Sequence, residues 1–169
     1  MKIDKDLLKY ILKGIALYLI WYIGYELWLA PDGRLDKWLN ESVAYGGWVF
    51  VNLLGYDGCI EGTHICVNIV STVKINNGCN GFEIYSVFAA FIILFEGKWL
   101  HKLFYIIGGI IIIYFSNILR VGMLAIDHYK NLKLFYFNHH YTYVFIIYGL
   151  VFLLWYIWIT KFSKRFAVS

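Results

Sequence analysis

The chain has 169 residues, of which 61% are hydrophobic, 21% aromatic and only 15% charged, and its formal net charge is +4. A soluble domain is nearer half apolar and about a quarter charged, so this composition excludes a water-solvated core and implies lipid as the solvent. The positive charge is too small and scattered for a nucleic-acid interface, and the length admits one domain of at most about five spans of roughly 20 residues.

A first span is predicted over 8–30, closed by Pro31-Asp32-Gly33. Trp21, Tyr22, Tyr25 and Trp28 crowd its far end, as an interfacial belt requires. No small-residue cleavage site follows, so a retained span is expected rather than a removed signal peptide. Residues 34–55 are apolar but interrupted by Asn40, Glu41, Gly46, Gly47 and Asn52. That pattern favours a short interfacial or re-entrant helix over a full span. The runs 66–70 and 72–75 are rich in β-branched residues and predict a small hairpin outside the hydrocarbon, ended by Asn76-Asn77-Gly78. Residues 31–79 thus form an outer segment. Further spans are predicted over 80–95, 103–126 and 141–160, with a loop over 96–102 and a polar stretch over 127–140. The expected fold class is an all-α integral membrane protein. It has about four transmembrane helices, a short interfacial or re-entrant helix and an outer β-hairpin, in a single membrane domain over 1–169.

Charge orients this arrangement. With the N-terminus inside, the inner segments hold Lys2, Lys5, Lys9, Lys13, Lys98, Lys102, Lys161, Lys164 and Arg165 against Asp4, Asp6 and Glu96, a balance of +6. The other six basic and eight acidic residues give −2. The lysine and arginine bias places both termini inside. The Cys59 to Cys79 region and the 127–140 stretch then lie outside, in a compartment that tolerates disulfides.

Three chemically capable features share that outer face. Cys79 lies in Asn77-Gly78-Cys79-Asn80-Gly81, where a span begins. A helix N-terminus and a nearby cation favour the thiolate, the nucleophilic form. Arg120 lies in the outer part of an apolar helix, where an unpartnered charge costs up to roughly 2.5–3.5 kcal/mol, so it needs a partner or a polar cavity. Asn117, three residues earlier, shares its face. A guanidinium there can hold a peptide carbonyl or a developing oxyanion, and Asn117 and Asn80 can support substrate or oxyanion. His139 and His140 open the last span, where a histidine can move a proton near neutral pH. Adjacent helical residues point about 100° apart, so only one can reach the thiol. Val144 and Tyr148 share the face of His140, and Tyr143 and Ile146 that of His139, so both stay open on the residues alone. Each residue also has a plain structural reading: packing for Cys79, an ion pair with Glu83 or Asp127 for Arg120, interfacial polarity for the histidines. Cys59 and Cys66 suit a local disulfide. A zinc site with His64 is the weaker reading, because the spacing matches no strong zinc pattern, so no metal and no cofactor are expected.

At these residues the sequence resembles the exosortase and archaeosortase family of membrane transpeptidases, and in particular its smaller bacterial members. The resemblance rests on Asn77-Gly78-Cys79-Asn80-Gly81-Phe82-Glu83, on Asn117-Ile118-Leu119-Arg120-Val121, and on His139-His140 at the head of the last span. It covers about residues 56–160. It implies a cysteine peptidase or transpeptidase in the bacterial inner membrane, acting at the periplasmic side on C-terminal sorting segments of exported proteins. Cys79 would be the nucleophile, Arg120 the positioning or electrophilic residue, and His140 or His139 the acid–base group. Two departures stand out: Asn80 occupies a position where many members carry serine or alanine, and the chain has fewer spans than many. The expected partners are therefore the exported substrate, membrane lipid and an accessory membrane protein that supplies docking. Two other functions compete. One is a non-catalytic assembly or scaffold protein with Arg120 in a structural ion pair. The other is a small transporter, which would more often show repeats or interrupted helices in both halves.

Overall fold

The computed structural model describes residues 5–69 and 71–163. Lys2, Asp4, Val70, Lys164 and Arg165, used in the sequence reading, lie outside the described residues. Helical backbone runs unbroken through α1 (Lys5–Trp21), a π-helical stretch (Tyr22–Leu29) and α2 (Ala30–Asp32). Gly33, at φ +69°, ends it in the left-handed region that glycine enters without a Cβ clash.

α3 (Arg34–Leu53) buries Asp36, Leu39, Asn40, Val43, Ala44, Gly47 and Val51, an unbroken three-and-four spacing down one face. That face packs against α5 (Trp99–Lys130). The approach is close because glycines meet there: a Cβ on Gly47 would lie 3.2 Å from Val121, and one on Gly122 would lie 3.1 Å from the Gly47 carbonyl oxygen.

Between α3 and Cys79 in the chain comes a three-stranded antiparallel sheet, β1 (Gly58–Glu61), β2 (His64–Val67) and β3 (Ser71–Lys74), in that order. Alternation along β2 turns Ile65 and Val67 inward, onto Val43, Ala44 and Val51 of α3 and Val121, Ala125 and Ile126 of α5. Cys59 and Cys66 are direct cross-strand partners and are joined by a disulfide. The Trp48 indole N–H donates to the Gly58 carbonyl at 2.9 Å and ties the sheet to α3.

The other half of α5 packs with α4 (Phe82–Leu94) and with the last helix, formed by α6 (Leu132–Phe137), a π-helical turn (Asn138–Thr142), α7 (Tyr143–Ile157) and a closing π-turn (Trp158–Phe162). Phe88, Ile92, Ile113, Val151 and Trp158 form this second core. The long α5 therefore carries two cores, with Asn117 and Arg120 between them.

The protein is mostly α-helical, with two helices long and apolar enough to cross a membrane among the described residues: 99–130 and 132–162. Only 22% of the apolar window in the second is buried, so most of that surface faces outward, as on a lipid-facing helix. α4 has 13 residues and rises about 20 Å, short of the roughly 30 Å hydrocarbon thickness.

Three expectations are corrected. The predicted hairpin is a three-stranded sheet, because 58–61 adds a strand whose glycine and glutamate give no alternating apolar signal. The 127–140 stretch is not a loop: α5 continues to Lys130, and Asn131 alone interrupts it. The Asn131 side chain caps α6 by accepting from the Lys133 N–H at 2.9 Å. Residues 34–53, expected as a short element, form one 20-residue helix.

Candidate active site

Cys79 closes a 3₁₀ turn (Asn77–Cys79) that leads through Asn80 and Gly81 into α4. Its backbone N–H donates to the Asn76 carbonyl at 2.8 Å, which tightens the turn. Gly81 sits at φ +84°, and a Cβ there would come within 2.7 Å of the Tyr85 hydroxyl, so the turn needs glycine on both counts. Cys79 is half-buried and is the one free cysteine of the three in the chain.

Two side chains one helical turn apart on α5 reach the same atom. The Asn117 Nδ2 donates to the Cys79 carbonyl oxygen at 2.8 Å, and the Arg120 Nη2 approaches it at 3.4 Å. Arg120 lies within electrostatic range of Cys79, Tyr85 and Tyr148. Its Nε is buried without a partner, as is the Oδ1 of Asn117. The ion pair anticipated for Arg120 is not formed among the described residues. Glu83 is exposed, and Asp127 instead accepts from Asn138 at 2.7 Å and Tyr143 at 3.0 Å. Arg120 faces a cavity of about 180 Å³ that Gly78, Gly81, Glu83 and Tyr148 also line. A guanidinium with unused donors beside a small cavity can receive a carbonyl oxygen.

Asn80 is fully buried, and its side-chain nitrogen, side-chain oxygen and carbonyl oxygen each have a partner. Its Nδ2 donates to Asp36 at 2.8 Å, its Oδ1 accepts from the Phe82 N–H at 2.9 Å, and its carbonyl accepts from the Tyr85 hydroxyl at 3.1 Å. These bonds hold the turn that follows Cys79. Asp36, on α3, is also buried and accepts from the Tyr25 hydroxyl at 3.0 Å through both oxygens. One turn along α3, Asn40 Nδ2 donates to Asn77 Oδ1 at 2.9 Å.

The histidines part company within the π-helical turn. His140 is exposed, with its Nδ1 2.9 Å from the Tyr136 carbonyl oxygen. His139 is half-buried, stacks on Phe135 at 5.7 Å between ring centroids, and lies within electrostatic range of Arg120. His139 is thus the more buried of the two. Cys59, Cys66 and His64 lie on the sheet, and with both sulfurs in a disulfide no thiolate pair remains for zinc.

The sequence reading missed Asp36, Asn40 and Tyr25. A signal was present: Asp36 and Asn40 sit four apart on the same face as Leu39, Val43 and Val51, polar residues on a face that is otherwise apolar.

The family model for the transmembrane exosortases (Exosortase_EpsH) matches residues 4–159, and the chain belongs to that family. Comparison with curated proteins and with solved structures gave no significant match. Exosortases carry out cysteine-based transpeptidation of sorting signals, so this is an exosortase-family enzyme of the membrane. The match takes in residues 4–55, where the resemblance read from the sequence was weak.

Proposed function

We propose that this enzyme cleaves and transfers the C-terminal sorting segments of exported proteins through a thioester on Cys79. The single observation that carries the assignment is the Cys79 carbonyl, where Asn117 and Arg120 converge from 38 and 41 residues away beside a cavity.

In this reading His139 takes the thiol proton and Cys79 Sγ attacks the scissile carbonyl carbon. The carbonyl π pair moves onto oxygen, and the unused N–H groups of Arg120 receive the oxyanion. Collapse restores the carbonyl and breaks the C–N bond, while His139 returns its proton to the leaving amine. An acceptor nucleophile, deprotonated by His139, then attacks the thioester and releases Cys79 as the thiol. Asn117 fixes the turn that carries the sulfur. No cofactor or metal enters this scheme.

Four membrane crossings, with both termini inside and the site at the outer, periplasmic face of a bacterial inner membrane, accord with the charge division. In this reading α4 reaches mid-membrane length together with the turn before it, and an accessory membrane protein supplies the docking surface of absent spans. Labelling of cysteines introduced at the C-terminal tail from outside intact cells would contradict this orientation.

The test uses a reporter that carries a sorting segment processed by the parent enzyme. Cys79→Ala should abolish processing while membrane insertion and the Cys59–Cys66 disulfide persist. A Cys79→Ala enzyme that processes the reporter normally would favour the scaffold reading instead.

A further inference from the structure

Two hydrogen bonds reach from α3 to the turn that carries the nucleophile, one on each side of it. Asp36 holds Asn80, the residue after Cys79, and Asn40 holds Asn77, two residues before it. Asp36 and Asn40 are one helical turn apart, so a single helix face meets both ends of the turn. α5 grips the middle through the Cys79 carbonyl. The two gripping helices are themselves locked at close range where Gly47 meets Gly122.

We propose that Asp36 is a positioning residue for the reaction: acting through Asn80, it sets the orientation of Cys79 towards Arg120, with Asn40–Asn77 as the second tether. The proposal rests on the reading of Cys79 as the nucleophile. Asp36 is buried and forms no ion pair among the described residues, and its hydrogen-bonding capacity is spent on Tyr25 and Asn80. A buried carboxylate is costly unless fully hydrogen-bonded. Here the bonds it makes lead to the residue beside the reactive sulfur. Tyr25 in turn ties this carboxylate to the first helix, and its ring packs on Phe82 at 4.5 Å between centroids, at the start of α4. Helices from three parts of the chain thereby converge on one turn.

The chemistry of the pair gives a test that general damage to the fold does not mimic. Asp36→Ala leaves the Asn80 amide and the Tyr25 hydroxyl without their acceptor and should lower kcat by about 10²-fold with little change in KM. Asn80→Asp sets two carboxylates against each other, removes the donor, and should lower kcat by about 10²-fold with little change in KM, the effect of a roughly 1 Å misplacement of a reacting group. The exchanged pair Asp36→Asn with Asn80→Asp restores one donor and one acceptor, and should recover most of that loss. As a second readout, a polyethylene-glycol maleimide, too bulky to reach a half-buried thiol without opening the turn, should label Cys79 about tenfold faster in Asn80→Asp and near the parent rate in the exchanged pair. An exchanged pair as slow as Asn80→Asp, or Asn80→Asp at the parent kcat, overturns the proposal. Activity that survives Cys79→Ala would overturn the nucleophile reading instead, so the two failures are distinguishable.

Discussion

The turn that carries Cys79 and the turn that carries His139 are built differently. The cysteine turn is held by side chains from three helices, and both side-chain polar atoms of Asn80 have partners. The histidine turn is a π-helical segment at the head of the last helix, fixed mainly by Asp127, which accepts from Asn138 and Tyr143 on either side of it. One of its histidines is exposed and the other half-buried. The difference suits the two roles. A nucleophile must be placed within a fraction of an ångström, whereas a proton carrier must reach first the thiol, then a leaving amine, then an acceptor. π-Turns are frequent at functional sites because they shift side chains off the regular helical register.

Substitutions can break or sharpen this contrast. With Cys79 kept, the largest effect is expected at His139: His139→Asn should lower turnover by about 10²–10⁴-fold, the usual contribution of a positioned acid–base group. His140→Asn should stay within about twofold. The reverse ranking in a processing assay would return the role to His140 and undo the reading of the π-turn.

Next comes Arg120. Arg120→Ala should lower kcat by about 10²–10³-fold, as loss of an oxyanion donor does. Arg120→Lys should be nearly as poor, because an ammonium lacks the planar fork that can hold the turn carbonyl and the substrate oxygen together. Normal processing by Arg120→Lys would mean that charge alone is needed, and an electrostatic packing role would follow.

Gly122→Val tests the grip of α3 and α5 on the cysteine turn. A branched side chain there would press on Phe50, 2.5 Å from the added Cβ, and on the Gly47 backbone. It should destabilise the protein by about 1–3 kcal/mol and slow turnover, read by thermal unfolding alongside processing. The smallest catalytic effect is expected at the disulfide of the sheet. Cys59→Ala with Cys66→Ala removes the cross-strand disulfide and should cost about 2–3 kcal/mol of stability while kcat of the folded enzyme is nearly kept. A large fall in kcat with unchanged stability would show that the sheet takes part in the site.

How much of this was legible in the sequence follows the same contrast. The polar motifs around Cys79 and Arg120 stand out because apolar surroundings make each polar residue conspicuous, and the lipid-facing stretches are visible by composition alone. What the sequence hid was partnership. Asp36 and Asn40 lie 44 and 37 residues from Asn80 and Asn77, and no local pattern announces that a helix read as interfacial will supply the clamp. The two adjacent histidines sit in a π-helical turn, which propensity and periodicity do not register. Strand 58–61 escaped notice because its pairing, not its composition, makes it a strand.

The most direct test of the central claim is intact-mass analysis of the enzyme trapped with its reporter under conditions that slow acceptor attack. The account predicts an adduct equal in mass to the acyl fragment, released by hydroxylamine as a thioester is, mapped to Cys79 and absent from Cys79→Ala. Turnover with no adduct at Cys79, or an adduct that survives in Cys79→Ala, would contradict it.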